Sequence, residues 1–251
     1  MEKVLPLPTG VNRQEIGLST LGKQIYSYRI GSGNLKVGLV FAIHGNEVGT
    51  VKLARQLLHY LYSHTSDFNN LTVFIVPILN VDGYDAALSN PDYWNGGRFG
   101  RFNNNNVDLN RNFDVASFVN ESTWSFGKNY SEKMMVFCGQ NGNSEPETKA
   151  LTSFIEKENV KMIYSFHNSG GDLLPGQNQI SKEVANIFSK MTGYEILSNN
   201  EWLNLKQSGT LKEWCDDKDI SFLEVEGKTR WGSDWNNQKM AIIESLKHLN
   251  G

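Results

Sequence analysis

Two side chains able to hold a metal ion, His44 and Glu47, stand three residues apart directly after the apolar run 37–43, VGLVFAI. A run of that length with β-branched and aromatic members reads as a buried strand. The polar break that follows therefore sits at the carboxyl end of a core strand, where open α/β sheets bind ligands. Imidazole plus carboxylate suits zinc, and a catalytic zinc takes three protein ligands and keeps one position open. His167 is the expected third ligand. It too ends an apolar strand, 161–166, and is followed by the polar turn Asn168-Ser169-Gly170-Gly171. The other three histidines, His59, His64 and His248, fall in helical or helix-end settings and read as surface residues.

The segment Asp108-Leu109-Asn110-Arg111-Asn112 carries the next chemistry. Arg111 offers a planar fork that matches a carboxylate with two hydrogen bonds, and Asn110 adds an amide donor. Asp108 is suited to accept the second N–H of a metal-bound imidazole. Arg101, seven residues earlier, is a fixed cation that can face a developing oxyanion. A general base is expected in Phe222-Leu223-Glu224-Val225-Glu226. Its two carboxylates are two residues apart on a strand and so share a face, and composition does not choose between them.

The elements that must position these groups follow from periodicity. Strands are expected at 25–30, 37–43, 71–79, 161–166 and 220–225. Helices are expected at about 48–63, from Ser144 to about Glu156 with Ser144 as cap and Glu147 at the capping-box position, through Val184 to Met191 closed by Gly193, and at about 236–248. Residues 81–106, rich in Asn, Gly and aromatics, read as one long loop. Strands alternating with helices imply a largely parallel sheet covered on both faces. No repeat, low-complexity tract or linker divides the 251 residues, so a single domain, 1–251, is expected.

A net charge of −3 and a sequence pI near 6.0 argue against a nucleic-acid partner. No run is long enough to span a membrane, and the first residues carry no signal-peptide pattern. Cys138 and Cys215 give no disulfide framework. A cytoplasmic protein with free thiols is expected, its oligomeric state left open.

In combination, His44-x-x-Glu47, Arg101-x-Asn103-x-x-x-Val107-Asp108-Leu109-Asn110-Arg111-Asn112-Phe113, Ser144-Glu145-Pro146-Glu147-Thr148 and His167 resemble the zinc carboxypeptidases of the carboxypeptidase A type. The likeness is nearest to their short bacterial members, which include peptidases of murein tripeptides, and it runs from Ile16 to about Gly232. It implies a three-layer αβα fold of the metallocarboxypeptidase/phosphorylase-like kind, with a mixed, largely parallel central sheet of about eight strands. It also implies one Zn2+ and a peptide substrate with a free C-terminal carboxylate.

The family places its catalytic glutamate six residues before an Arg-aromatic-Gly triplet. Arg230-Trp231-Gly232 then selects Glu224, with Glu226 as the alternative. Ser208-Gly209-Thr210-Leu211-Lys212-Glu213-Trp214 resembles the loop lining the family's side-chain pocket. Lys212 at its selecting position implies a terminal residue with an acidic side chain or a second carboxylate, as in glutamate or diaminopimelate. The family's mobile tyrosine is replaced by Leu205, and its usual Asn-Pro-Asp-Gly by Asn80-Val81-Asp82-Gly83. Two other functions stay open. One is an acyl-amino-acid deacylase of the succinylglutamate desuccinylase or aspartoacylase type; the other is a non-catalytic zinc or peptide-binding module.

Overall fold

The computed structural model describes residues 6, 8–90, 97–126, 131–198 and 207–251, and Leu205 lies outside them. The apolar runs form the strands of one mixed sheet. In chain order these are β1 (Asn12–Leu18), β2 (Gln24–Gly31), β3 (Leu35–Phe41), β4 (Leu71–Val76), β7 (Met162–Asn168), β8 (Asp172–Pro175), β9 (Glu195–Ile196) and β10 (Ser221–Gly227). Their order across the sheet is β1-β2-β4-β3-β7-β10-β8-β9. The central neighbours β4, β3, β7 and β10 run parallel, whereas β1, β2 and β8 join antiparallel. Every residue of β4 is buried, as expected of a strand covered on both faces.

Two hydrophobic layers sandwich the sheet. One face packs against α1 (Val48–Ser63), α4 (Gln179–Thr192) and α6 (Trp235–Asn250), through Leu53, Leu57, Leu61, Val184, Phe188, Ile242 and Leu246. The other packs against α3 (Pro146–Glu158) and α5 (Leu211–Asp217), through Leu151, Phe154, Ile155, Leu211 and Trp214. Alternation along β10 assigns Leu223 and Val225 to the first layer and Phe222 to the second. Glu224 and Glu226 therefore rise on the α3/α5 face. Among the described residues, no helix is long and apolar enough to cross a membrane.

Three expectations change. Residues 81–89 are not loop but the helix α2 (Val81–Ser89), started by Asn80, whose side chain accepts from the Gly83 amide. Ser144 does not cap α3. Glu145 holds the N-cap position without a side-chain cap bond, and Pro146 sits in the first turn. Ser144 Oγ instead donates to Glu145 and accepts from Asn112 Nδ2, while Glu147 turns away to Thr20 and Asn103. A buried network of longer reach has outcompeted the local box. The segment after Thr210 is likewise not a loop but α5, opened by a capping box between Thr210 and Glu213. The hairpin of β5 (Glu121–Phe126) and β6 (Glu132–Phe137) lies outside the main sheet.

Candidate active site

The site lies at the carboxyl ends of β3, β7 and β10. After β3 the chain turns sharply at Ala42, whose φ of 48° is left-handed. The Ala42 amide donates to Thr50 Oγ1 at 3.2 Å, and its carbonyl accepts from Asn80 N at 2.9 Å, which ties the turn to α1 and to the start of α2. Gly45 then passes so close to its neighbours that a Cβ there would stand 2.2 Å from Tyr84 N and 2.7 Å from Gly100 O. Only glycine fits this crossing. The turn brings His44 and Glu47 to face the end of β7.

There His44, Glu47 and His167 converge, all buried, with one potential ligand atom from each lying within 4.8 Å of the others. His44 Nδ1 is 2.8 Å from Glu47 Oε1, His167 Nδ1 is 3.1 Å from Glu47 Oε2, and the two imidazole Nδ1 atoms are 3.2 Å apart. Apart from that 3.1 Å approach of His167 Nδ1, the buried Glu47 Oε2 meets no hydrogen-bond partner. Two imidazoles and a carboxylate with an orphaned oxygen, all aimed at one point, fit a divalent cation of the zinc class.

The surroundings orient these donors. His44 Nε2 faces Asp108 Oδ1 at 3.1 Å, leaving Nδ1 to the cluster. His167 Nε2 is 3.0 Å from Ser165 Oγ, a partner that the sequence reading missed. Ser165 stands two residues before His167 on a strand, so the two-residue repeat could have indicated it. Burial pushes the Glu47 carboxyl up, but the two imidazoles outweigh burial and hold it below the usual carboxylate range. Burial pushes the His167 imidazole down, yet Glu47 and Glu224 outweigh it and raise it to about 9. Burial also raises Asp108, and Arg101 and His44 more than reverse that, keeping it charged.

Of the predicted groups, Arg101, Asp108 and Glu224 reach this cluster and Asn110 reaches Glu224, while Lys212 pairs outside it with Asp216. Arg101 grips Asp108 Oδ2 through Nε at 3.1 Å and Nη2 at 2.8 Å, which turns Nη1 toward Glu47 Oε1, 3.9 Å away. Trp124 of β5, also missed, lies under the Arg101 guanidinium at 4.1 Å. Arg111 is held by Nε to Thr123 O and by Nη1 to Asn110 O, neither bond using Nη2. Asn110 Oδ1 accepts from Leu211 N at the start of α5, and its Nδ2 is 3.4 Å from Glu224 Oε2. Glu224 Oε2 also lies 3.7 Å from His167 Nε2. Glu226 pairs in register with His167 and is half-buried, and burial pushes its carboxyl up to about 8. Lys212, on α5, is buried with Nζ 2.8 Å from Asp216 Oδ2.

A model of zinc carboxypeptidases matches residues 5–219. The chain belongs to the zinc carboxypeptidase family. Within it, bovine carboxypeptidase O is 32% identical over 176 residues, covering 61% of this chain and 44% of that protein. Rat carboxypeptidase B2 is 28% identical over 219 residues, 78% of this chain and 47% of that one. The chain thus spans about half the length of the curated relatives it matches. The fold is that of the murein-tripeptide amidase from Escherichia coli O157, with a TM-score of 0.68, 20% identity, and 98% of this chain and 93% of that chain covered. An aspartoacylase family protein from Mesorhizobium loti shares it more loosely, with a TM-score of 0.55, 15% identity, and 95% and 67% covered.

Proposed function

We propose that the protein is a zinc-dependent carboxypeptidase or amidase that removes one residue from a peptide with a free C-terminal carboxylate. One observation carries the reading. The His44–Glu47–His167 cluster has Glu224 on one side and Arg101 on another, and Asn110, whose carbonyl holds Arg111, reaches Glu224. Zinc held by those three ligands supplies Lewis acidity toward water and the scissile carbonyl. Glu224 takes the proton from water and delivers it to the leaving amine, a task worth roughly 10²–10⁴ in rate. Arg101 faces the oxyanion through Nη1, its orientation set by Asp108 and Trp124. Donors of that kind contribute on the order of 3–4 kcal/mol. Asn110 and Arg111 hold the terminal carboxylate and so fix the cut one residue from the end.

The finer part of the proposal is a terminal residue with an acidic side chain or second carboxylate, as in a murein-type peptide, and it rests on Lys212. Asp216 partly neutralises that ammonium, so the expected preference over a neutral side chain is only a few-fold. A cytoplasmic setting belongs to the same proposal and is supported by the unpaired, buried Cys138 and Cys215.

The test is a panel of peptides ending in diaminopimelate, glutamate, lysine and phenylalanine, each as free acid and as C-terminal amide, with N-succinylglutamate alongside. Release of the last residue much faster from the acids than from the amides is expected. Turnover of N-succinylglutamate alone would instead make the protein an acyl-amino-acid deacylase. Zinc binding without turnover of any of these would make it a binding module.

A further inference from the structure

One acidic group in the site has no task in this reaction. Glu226 shares the face of β10 with Glu224 and stands beside His167 in the parallel register. Among the described residues, no hydrogen bond or ion pair reaches its carboxylate, although it is half-buried. Its backbone is fixed, with the carbonyl accepting from Gly171 N at 2.9 Å. A carboxylate kept partly out of water without a partner is unfavourable, and a cation supplied by a ligand relieves that cost.

The position of Glu226 says which part of a ligand. Asn110, whose carbonyl accepts from Arg111 Nη1, approaches Glu224 Oε2 at 3.4 Å, whereas Glu226 stands two residues past Glu224 on the same face of the strand, beside His167. Glu226 lies about 7 Å farther than Glu224 toward the open end of the strand. A chain held by its last carboxylate at Arg111 and cut beside Glu224 leaves the site past Glu226.

We propose that Glu226 is a specificity-determining residue that binds an alkylammonium group on the residue at the amino side of the scissile bond, either its free α-amino group or a basic side chain. This rests on the carboxypeptidase reading above.

The experiment compares kcat/KM for three matched peptides: a dipeptide with a free α-amino group, its N-acetyl form, and an N-acetyl peptide with lysine before the terminal residue. Wild type is expected to favour at least one cationic peptide over the neutral one by about five- to tenfold, chiefly in KM. Which of the two it favours identifies the α-amino group or the side chain as the source. In Glu226→Gln the ratio should fall below about twofold, and in Glu226→Lys the order should reverse. Equal cleavage of all three by wild type, or a ratio kept in Glu226→Gln, overturns the assignment of Glu226 and leaves the carboxypeptidase standing. A uniform loss of kcat in Glu226→Gln with the ratio intact overturns it as well, making Glu226 the base. Cleavage of none by wild type removes the carboxypeptidase reading and this inference together.

Discussion

Asp108 Oδ1 faces His44 Nε2 at 3.1 Å, while the other oxygen of the same carboxylate is gripped by Arg101 at 2.8 Å. One buried anion therefore fixes both the ring that would hold the metal and the guanidinium that would meet the oxyanion. Asp108→Asn supplies an amide where the imidazole N–H and the Arg101 fork both need an acceptor. Zinc affinity, read by chelator competition, should fall about 10- to 100-fold. An unchanged affinity would mean that His44 is oriented by its backbone alone.

Arg111→Ala separates recognition from chemistry. Neither of its hydrogen bonds uses Nη2. Its loss should raise KM for free-acid peptides by at least tenfold and leave the slow turnover of an amide-capped peptide within a factor of about two. Equal losses on both would point to collapse of the β5 contact at Thr123 O rather than to a lost carboxylate clamp.

Glu224→Gln keeps the shape of the site and removes the base. The expected result is a drop in kcat of about 10²- to 10⁴-fold with zinc affinity within about threefold of wild type. A variant that cleaves at the wild-type rate would show that Glu224 is not the base.

The metal-free protein should lose stability as pH rises. The His167 imidazole, ordinarily near 6.5, is raised to about 9 in the fold, so its contribution is fully present below 6.5 and is lost as pH climbs through 9. Glu226, raised from 4.5 to about 8, acts in the same sense and overlaps the lower part of that range. The melting temperature after chelation should fall by several degrees between pH 6.5 and 9. Added zinc should flatten the profile, because it binds the neutral imidazole and releases the proton. A flat profile without metal would contradict the proximity of His167 to Glu47 and Glu224.

Glu147 offers a prediction on stability alone. Fully buried, it accepts from Thr20 N at 2.7 Å and from Asn103 Nδ2 at 3.2 Å. Glu147→Gln exchanges one acceptor for a donor, and about 1–3 kcal/mol should be lost in denaturant unfolding. A smaller loss would mean that water already serves the network.

The central strands were legible because their signal is composition: β4 is an unbroken apolar run, and it is buried throughout. The convergence of His44, Glu47 and His167 was legible because each follows such a run. What escaped was set by contacts distant in sequence. Ser144 and Glu147 have the right spacing for a capping box, yet Asn112 and Thr20 claim them from 32 and 127 positions away. Trp124 lies on a hairpin outside the main sheet, and no local pattern announces that its ring will meet Arg101. The helix α5 is a different case. Its Thr210–Glu213 box was readable, but the likeness to a pocket loop masked it.

The tight crossing at Gly45 links the order of folding to metal uptake. Because α2 and Gly100 lie against the backbone at Gly45, between His44 and Glu47, assembling that pair costs entropy once, when the chain folds. An arriving ion then meets donors that need little further ordering, so its entry should approach the rate of its own dehydration. A bulkier residue at position 45 would defer that ordering to the moment of capture, and occupancy would become slow and weak even with every ligand intact.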